Sequence, residues 1–274
     1  MPFLPVCKQD LTDRNIDQLD FICITGDAYV DHPTFGIAIV SRLIESLGFT
    51  VGIIAQPVSD SDFKKLRQPK YAFMVTGGNI DSMVSNYTVF KKKRWDDDYS
   101  AGGKGGKRPD RAVTVYCRKL KQLFPETEIA IGGLEASLRR FAHYDYWNDC
   151  VMPSILVDSG AELLMYGMGE ITITQMMNRF KAGDKLKDMH DIRGTCYLTD
   201  PINTPIGAVQ CDSFELVREN KKAYAKACKK QYDEQDEVYG RTIVQRHGNK
   251  MLVQNPPQRS LTQSEFDKTY ELPY

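Results

Sequence analysis

A short apolar run, a glycine-bearing turn and a stretch of helical periodicity follow one another repeatedly along the first 180 residues. Asp20–Thr25, Thr50–Ala55, Tyr71–Thr76, Glu128–Ile131 and Ala161–Tyr166 are the apolar runs. Each is too short for a buried helix and is bounded by glycine or proline, so each is predicted as a strand. Between them, Ile37–Leu47 carries apolar residues at helical spacing, with Gly48 placed to end the helix in a left-handed turn. Ser61–Leu66 reads as a short helix, Ala112–Phe124 as an amphipathic one stopped by Pro125, and Leu134–Phe141 and the stretch after GMGE to about Phe180 as two more. Strands alternating with helices give parallel βαβ units with right-handed crossovers. The expected fold is therefore α/β: a Rossmann-like, doubly wound, mainly parallel sheet.

The pattern divides the chain into a lead-in (1–19), a Rossmann-like domain (20–210) and a C-terminal stretch (211–274). Within the domain, residues 91–111 read KKKRWDDDYSAGGKGGKRPDR, a charged, glycine-rich segment expected to be a mobile loop or lid. In the last stretch, Asp212–Glu237 is polar and helical, and TIVQRHGNKMLVQ (Thr242–Gln254) alternates around HGN as a hairpin does. Thr262 and Glu265 have capping-box spacing. With few apolar residues, 211–274 is expected to be a helix, a hairpin and a linker leading to a further domain.

Composition removes several classes of function. Lys and Arg number 36, as do Asp and Glu, so the basic excess of a nucleic-acid binder is missing. KKKR is compensated at once by WDDD. No apolar stretch is long enough to span a bilayer. The first residues lack a basic start with an apolar core, so a cytoplasmic location is expected. The seven cysteines are widely spaced, which disfavours a disulfide framework and leaves no CxxC-type metal motif; most are expected to be buried. GGKGGKRPD only superficially resembles a phosphate loop, because Arg108 stands where Ser or Thr is required and no apolar strand precedes it.

Ligands of open parallel sheets bind at the carboxyl ends of the strands. Three glycine turns fall there: Gly26-Asp27, Gly132-Gly133 and Gly167-Met168-Gly169. One such turn need only allow a tight connection, but three on one rim mark a ligand edge, with free N–H groups at the helix starts for a phosphate or similar anion. The candidate rim is Gly26, Asp27, Asp31, His32, Gly132, Gly133, Glu135, Ser137, Gly167, Gly169 and Glu170. Glu135 and Ser137, with Arg139 and Arg140, suit either ligand contact or a helix start with solvated arginines. His32 beside Asp31 suits acid–base chemistry or ligation, but before Pro33 it equally suits a turn. His143, His190 and His247 are scattered, so no metal set and no catalytic set is assigned within the chain.

Taken together, TGDAYVDHP, YAFMVTGGNIDSMVSNYT, GGKGGKRPDRAVTVYCRKLKQLFP, IGGLEASLRRFAHYDYW and NPPQRSLTQSEFDKTYELPY resemble the N-terminal portion of YgiQ-type radical SAM proteins across nearly the whole chain. The resemblance implies a Rossmann-like domain similar to cobalamin-binding domains, followed by a radical SAM barrel. There, a CxxxCxxC motif holds a [4Fe-4S] cluster that binds S-adenosylmethionine, and its reductive cleavage yields a 5′-deoxyadenosyl radical. CxxxCxxC is absent here. The chain therefore reads as a fragment ending before the barrel, its missing partner, with an unknown substrate and no activity expected alone. Asp31 and His32 are adjacent and Gly36 is one residue too far for the Asp-x-His-x-x-Gly signature of cobalt ligation, so a corrinoid would have to bind without His32. The alternative is a stand-alone nucleotide- or corrinoid-binding module without catalysis.

Overall fold

A computed structural model describes residues 3–274. The five predicted strands form as β1 (Phe21–Thr25), β2 (Val51–Ala55), β3 (Ala72–Thr76), β4 (Glu128–Gly132) and, after a small two-stranded hairpin of β5 (His143–Asp145) and β6 (Cys150–Met152), β7 (Leu163–Met165). They lie parallel in the order β2-β1-β3-β4-β7.

Four further strands extend the sheet: β8 (Thr195–Thr199), β9 (Val209–Gln210), β10 (Ile243–His247) and β11 (Lys250–Gln254). The order continues β8-β11-β10-β9, with β8, β11 and β10 alternating in direction. The HGN hairpin is thus β10–β11, and β11 pairs with β8 across Leu252↔Leu198 and Val253↔Tyr197. The hairpin expected in that stretch is part of the main sheet. The helices of the stretch, Phe214–Glu219 and Lys221–Asp233, bury Val217, Ala223 and Ala227 against one face. The sequence undercounted the apolar surface here because the strands borrow partners from β8.

The sheet is covered on both sides, and side-chain alternation along β1 shows why. Ile22 and Ile24 enter one core with Phe73, Ile129, Tyr116 and Leu120; Phe21 and Cys23 enter the other with Ile44, Ile173 and Phe180. Helix Ala112–Leu123 covers the first face, and helices Gly36–Ser46 and Glu170–Lys181 pack together on the second. Successive strand residues point to opposite faces, so a run buried throughout needs both layers.

The charged segment 91–111 is tied in at several points. Tyr87 and Lys93 form a bridge, as do Asp96 and Lys104. Ala28 N donates to Tyr99 O at 2.7 Å, and Arg108 is fully buried. Trp95, by contrast, stands in solvent. Of the cysteines, Cys23, Cys117, Cys196 and Cys211 are buried, while Cys7, Cys150 and Cys228 are exposed. Burial pushes the Cys23 and Cys196 thiols up to about 12, which makes them small hydrophobes rather than nucleophiles. No helix among the described residues is long and apolar enough to cross a membrane.

Candidate functional site

Chain direction around the sheet fixes where a crevice can open. From β1 the chain moves out to β2 on one side, then returns to β3 on the other. The loops after β1 and β3 therefore part, and in open α/β sheets this is where ligands bind. A cleft of about 300 Å³ lies here, running along the carboxyl ends of β1, β3, β4 and β7 and under the helix starting at Gly36. Its walls are largely aliphatic and thioether, including Ile37, Val40, Met74, Met165 and Ile173. Thr25, Thr76, Asn79, Asp27 and Glu170 are its polar side chains.

Asp27 sits at the floor, 1% exposed. Its Oδ2 accepts from Asn79 N at 2.7 Å, and Arg108 Nη2 lies 2.8 Å from Oδ1, in ion-pair contact but out of line for a hydrogen bond. Arg108 reaches on to Asp97 at 3.1 Å and donates from Nη1 to Gly77 O at 2.8 Å. Burial raises the Asp27 carboxyl above its ordinary range, with Arg108 and Asn79 opposing. Asp97 is subject to the same burial, yet the Ser100 hydroxyl and Arg108 hold it below the usual range.

Two glycines make this packing possible. Gly78 has φ +109°, and a Cβ there would lie 2.1 Å from Asp27 Oδ1; a Cβ on Gly26 would lie 2.2 Å from Gly77 O. The glycines of these turns therefore serve close approach of backbone and buried side chains.

Asn79 joins the loops after β1 and β3. Its Oδ1 accepts from Gly36 N at 3.2 Å and its Nδ2 donates to Thr34 O at 3.1 Å. The opening loop is anchored at its middle by Asp31, which Arg42 Nε holds at 3.1–3.2 Å; Arg42 also donates to Glu45 at 2.7 Å. Asp31 thus belongs to the joint between loop and helix and does not line the cleft. His32 is exposed, with Nδ1 2.9 Å from Thr34 Oγ1, in a turn outside the cleft.

The second turn divides in the same way. Gly132 and Gly133 line the cleft, but Glu135 points away from it. Glu135 Oε2 accepts from Ser82 N at 2.9 Å and Oε1 from Val113 N at 3.0 Å. It caps two helices at once, Ser82–Asn86 and Ala112–Leu123, satisfying amides that helix starts leave open. Ser137 is half-buried, and its carbonyl accepts from Arg140 at 2.6 Å.

The third turn is open. A Cβ on Gly167 or Gly169 would meet nothing within 4 Å. Glu170, the first residue of its helix, lines the cleft at 8% exposure, and its buried Oε2 has no hydrogen-bond partner among the described residues. The cleft thus gathers Gly132, Gly133, Gly167, Gly169, Asp27 and Glu170 of the predicted rim, with Gly26 packed beside it. Asn79, Asp97 and Arg108 were not singled out from the sequence. The charges of 91–111 were visible, but nothing in their spacing tells which of them is buried.

Among the described residues no three His, Cys, Asp or Glu side chains are gathered as a metal site. A [4Fe-4S] cluster needs closely held thiolates. The dispersed cysteines, most of them in separate core positions, do not fit one within this chain.

Comparison with known proteins identifies relatives of the chain. The chain is 58% identical over 276 residues to a UPF0313 protein of Clostridium botulinum (strain Loch Maree / Type A3), covering 100% of itself and 43% of that relative. It is 51% identical over 269 residues to a UPF0313 protein of Methanocella arvoryzae, covering 97% of itself and 45% of the relative. The chain therefore spans less than half the length of the curated relatives it matches. A solved structure of the radical S-adenosylmethionine methyltransferase TsrM from Kitasatospora setae, with tryptophan substrate and a SAM analog bound, matches with TM-score 0.41 and 15% identity over 70% of this chain and 32% of that one. Residues 3–274 match the radical SAM N-terminal family, and the chain belongs to that family.

Proposed function

We propose that this chain is the ligand-receiving N-terminal part of a longer radical SAM protein, in which the [4Fe-4S] cluster and S-adenosylmethionine are held by the portion that the relatives carry beyond this one. The cleft is the observation that carries the reading. It lies at the reversal point of the sheet, is lined by four strand ends, and has a preformed floor in Asp27 and Asn79, which Arg108 braces from behind. Preformed, mainly apolar clefts with a few convergent polar groups are the usual small-molecule sites.

The cleft mouth supports a covering partner. Leu134 and Met168 stand exposed on two of its turns. Apolar side chains placed together at a functional rim are what a docking domain buries. The remainder of the polypeptide is that domain in this reading, and the reaction would take place between the two parts. What this chain contributes is positioning: it binds one face of the substrate or a cofactor and excludes water from it.

The test mixes the present chain, as the N-terminal half, with the part of the Clostridium botulinum relative that lies beyond the match, produced as a separate polypeptide. Co-elution of the halves, lost when Leu134→Glu and Met168→Glu are combined in the N-terminal half, is the expected result. Undiminished co-elution of the double variant would remove the rim from the interface.

A further inference from the structure

We propose that the cleft receives a ligand with an apolar body and a positively charged nitrogen, and that Glu170 is the residue that takes the nitrogen. This deepens the cleft reading above and rests on it.

Two carboxyl groups line the cleft, and they differ in what they already hold. Asp27 has Arg108 and the Asn79 amide. Glu170 is 92% buried, has no ion pair or side-chain hydrogen bond among the described residues, and keeps its Oε2 beneath the cleft surface without a partner. A desolvated carboxylate without a hydrogen-bonding partner is unfavourable, so buried charges are normally paired. No Lys, Arg or His lines the cleft, so the partner must arrive with the ligand.

The surroundings supply room and contact area. Gly167 and Gly169 line the same cleft, and beyond its own chain neighbours a Cβ at either would meet nothing within 4 Å. Ile37, Val40 and Ile173 offer an aliphatic wall for the rest of the ligand. The positive end of helix Glu170–Lys181 supports the carboxylate while the cleft is free. The same arrangement disfavours the phosphate expected from the glycine turns. An anion approaching that helix end meets Glu170 first, with no cation on the cleft wall to offset the repulsion.

The experiment titrates the 274-residue chain with four probes that share one apolar body: 1-naphthylmethylamine, 1-naphthylacetamide, 1-naphthylacetic acid and 1-naphthyl phosphate. Binding is read by heteronuclear NMR shifts or calorimetry. The amine is expected to bind about 10-fold or more tightly than the amide, acid or phosphate, the range of a hydrogen bond to a charged group. Glu170→Gln should reduce amine affinity by about 10- to 100-fold and leave the amide within about threefold. Val40→Trp, which fills the cleft, should abolish both.

Equal binding of amine and amide, or amine binding indifferent to Glu170→Gln but lost in Val40→Trp, overturns the assignment to Glu170 and spares the cleft. Amine binding that survives Val40→Trp overturns the cleft reading itself, as does failure of all four probes to bind. Preferential binding of the phosphate probe overturns the charge preference.

Discussion

Asp27 and Glu170 stand on the same cleft, are buried to nearly the same degree, and follow glycine turns at the carboxyl ends of two strands, yet their environments are opposite. Asp27 is enclosed by Arg108, Asn79 and Asp97 in a floor so tight that Gly78 has no room for a methyl group. Glu170 follows an open glycine turn, and its buried Oε2 has no hydrogen-bond partner among the described residues. One acid is spent on building the rim, and the other is the one proposed to meet what enters it. Burial alone does not separate the two; the presence of a partner does.

The comparison can be broken most forcefully at Arg108. Arg108→Met leaves Asp27 and Asp97 buried with no cation between them, and is expected to cost about 3–5 kcal/mol in urea unfolding. A loss below about 1 kcal/mol would mean that the floor is not held by charge. Next in size is a pair of glycine substitutions. Gly78→Ala combines a left-handed backbone with a clash against Asp27 and is expected to cost about 2–4 kcal/mol. Gly169→Ala, at ordinary φ with empty space around it, should stay within about 0.5 kcal/mol, since a less flexible unfolded chain and a poorer helix cap offset each other. Similar losses at the two positions would erase the distinction between the closed and open turns.

Acid titration sharpens the floor itself. Asp97 has a lowered folded pKa, so it contributes stability above its unfolded value of about 3.9, and this is lost as pH falls through the folded value. Asp27 has a raised folded pKa, so its ionisation opposes folding. That penalty is complete above the folded value and is relieved as pH falls toward about 3.9. Asp97→Asn should therefore flatten the loss of stability on acidification, and Asp27→Asn should steepen it, each by on the order of 1 kcal/mol in denaturant midpoints measured from pH 7 to pH 3. Shifts of the same sign would refute the division of roles.

The smallest effect on stability belongs to Glu170. Glu170→Gln removes a desolvated charge and breaks no hydrogen bond, so its melting temperature should remain within about 3 °C of the parent, toward the higher side. A marked drop would reveal a structural role for the carboxylate.

Much of this was legible in the sequence. Short apolar runs closed by glycine have few alternatives to parallel strands, and the five so read are β1–β4 and β7. What escaped were elements defined by distant partners. Thr195–Thr199 lies as β8 between Leu163–Met165 and Met251–Gln254, and its run TCYLT between Gly194 and Pro201 was not read as a strand. The small hairpin β5–β6 was likewise not among the predicted strands. The rim was located by its glycines, but their reasons were not. Gly26 and Gly78 make room for neighbours, whereas Gly167 and Gly169 leave room free, and the letters do not distinguish the two. Likewise Glu135 in IGGLEAS and Glu170 in GMGE occupy similar places after a glycine turn, and only the positions of Ser82 and Val113 reveal that the first is consumed by helix amides.

The position of Arg108 has a kinetic consequence. Asp27 follows β1, whereas Asp97 and the cation between the two, Arg108, arrive together on the charged insertion after β3. The hydrophobic strands can associate before that insertion is seated. Seated in that order, Arg108 would act as a latch, closed last and opened first. Interactions made after the folding barrier slow unfolding more than they speed folding. The insertion would thus determine how long the rim stays assembled, even though the strands determine that it assembles at all.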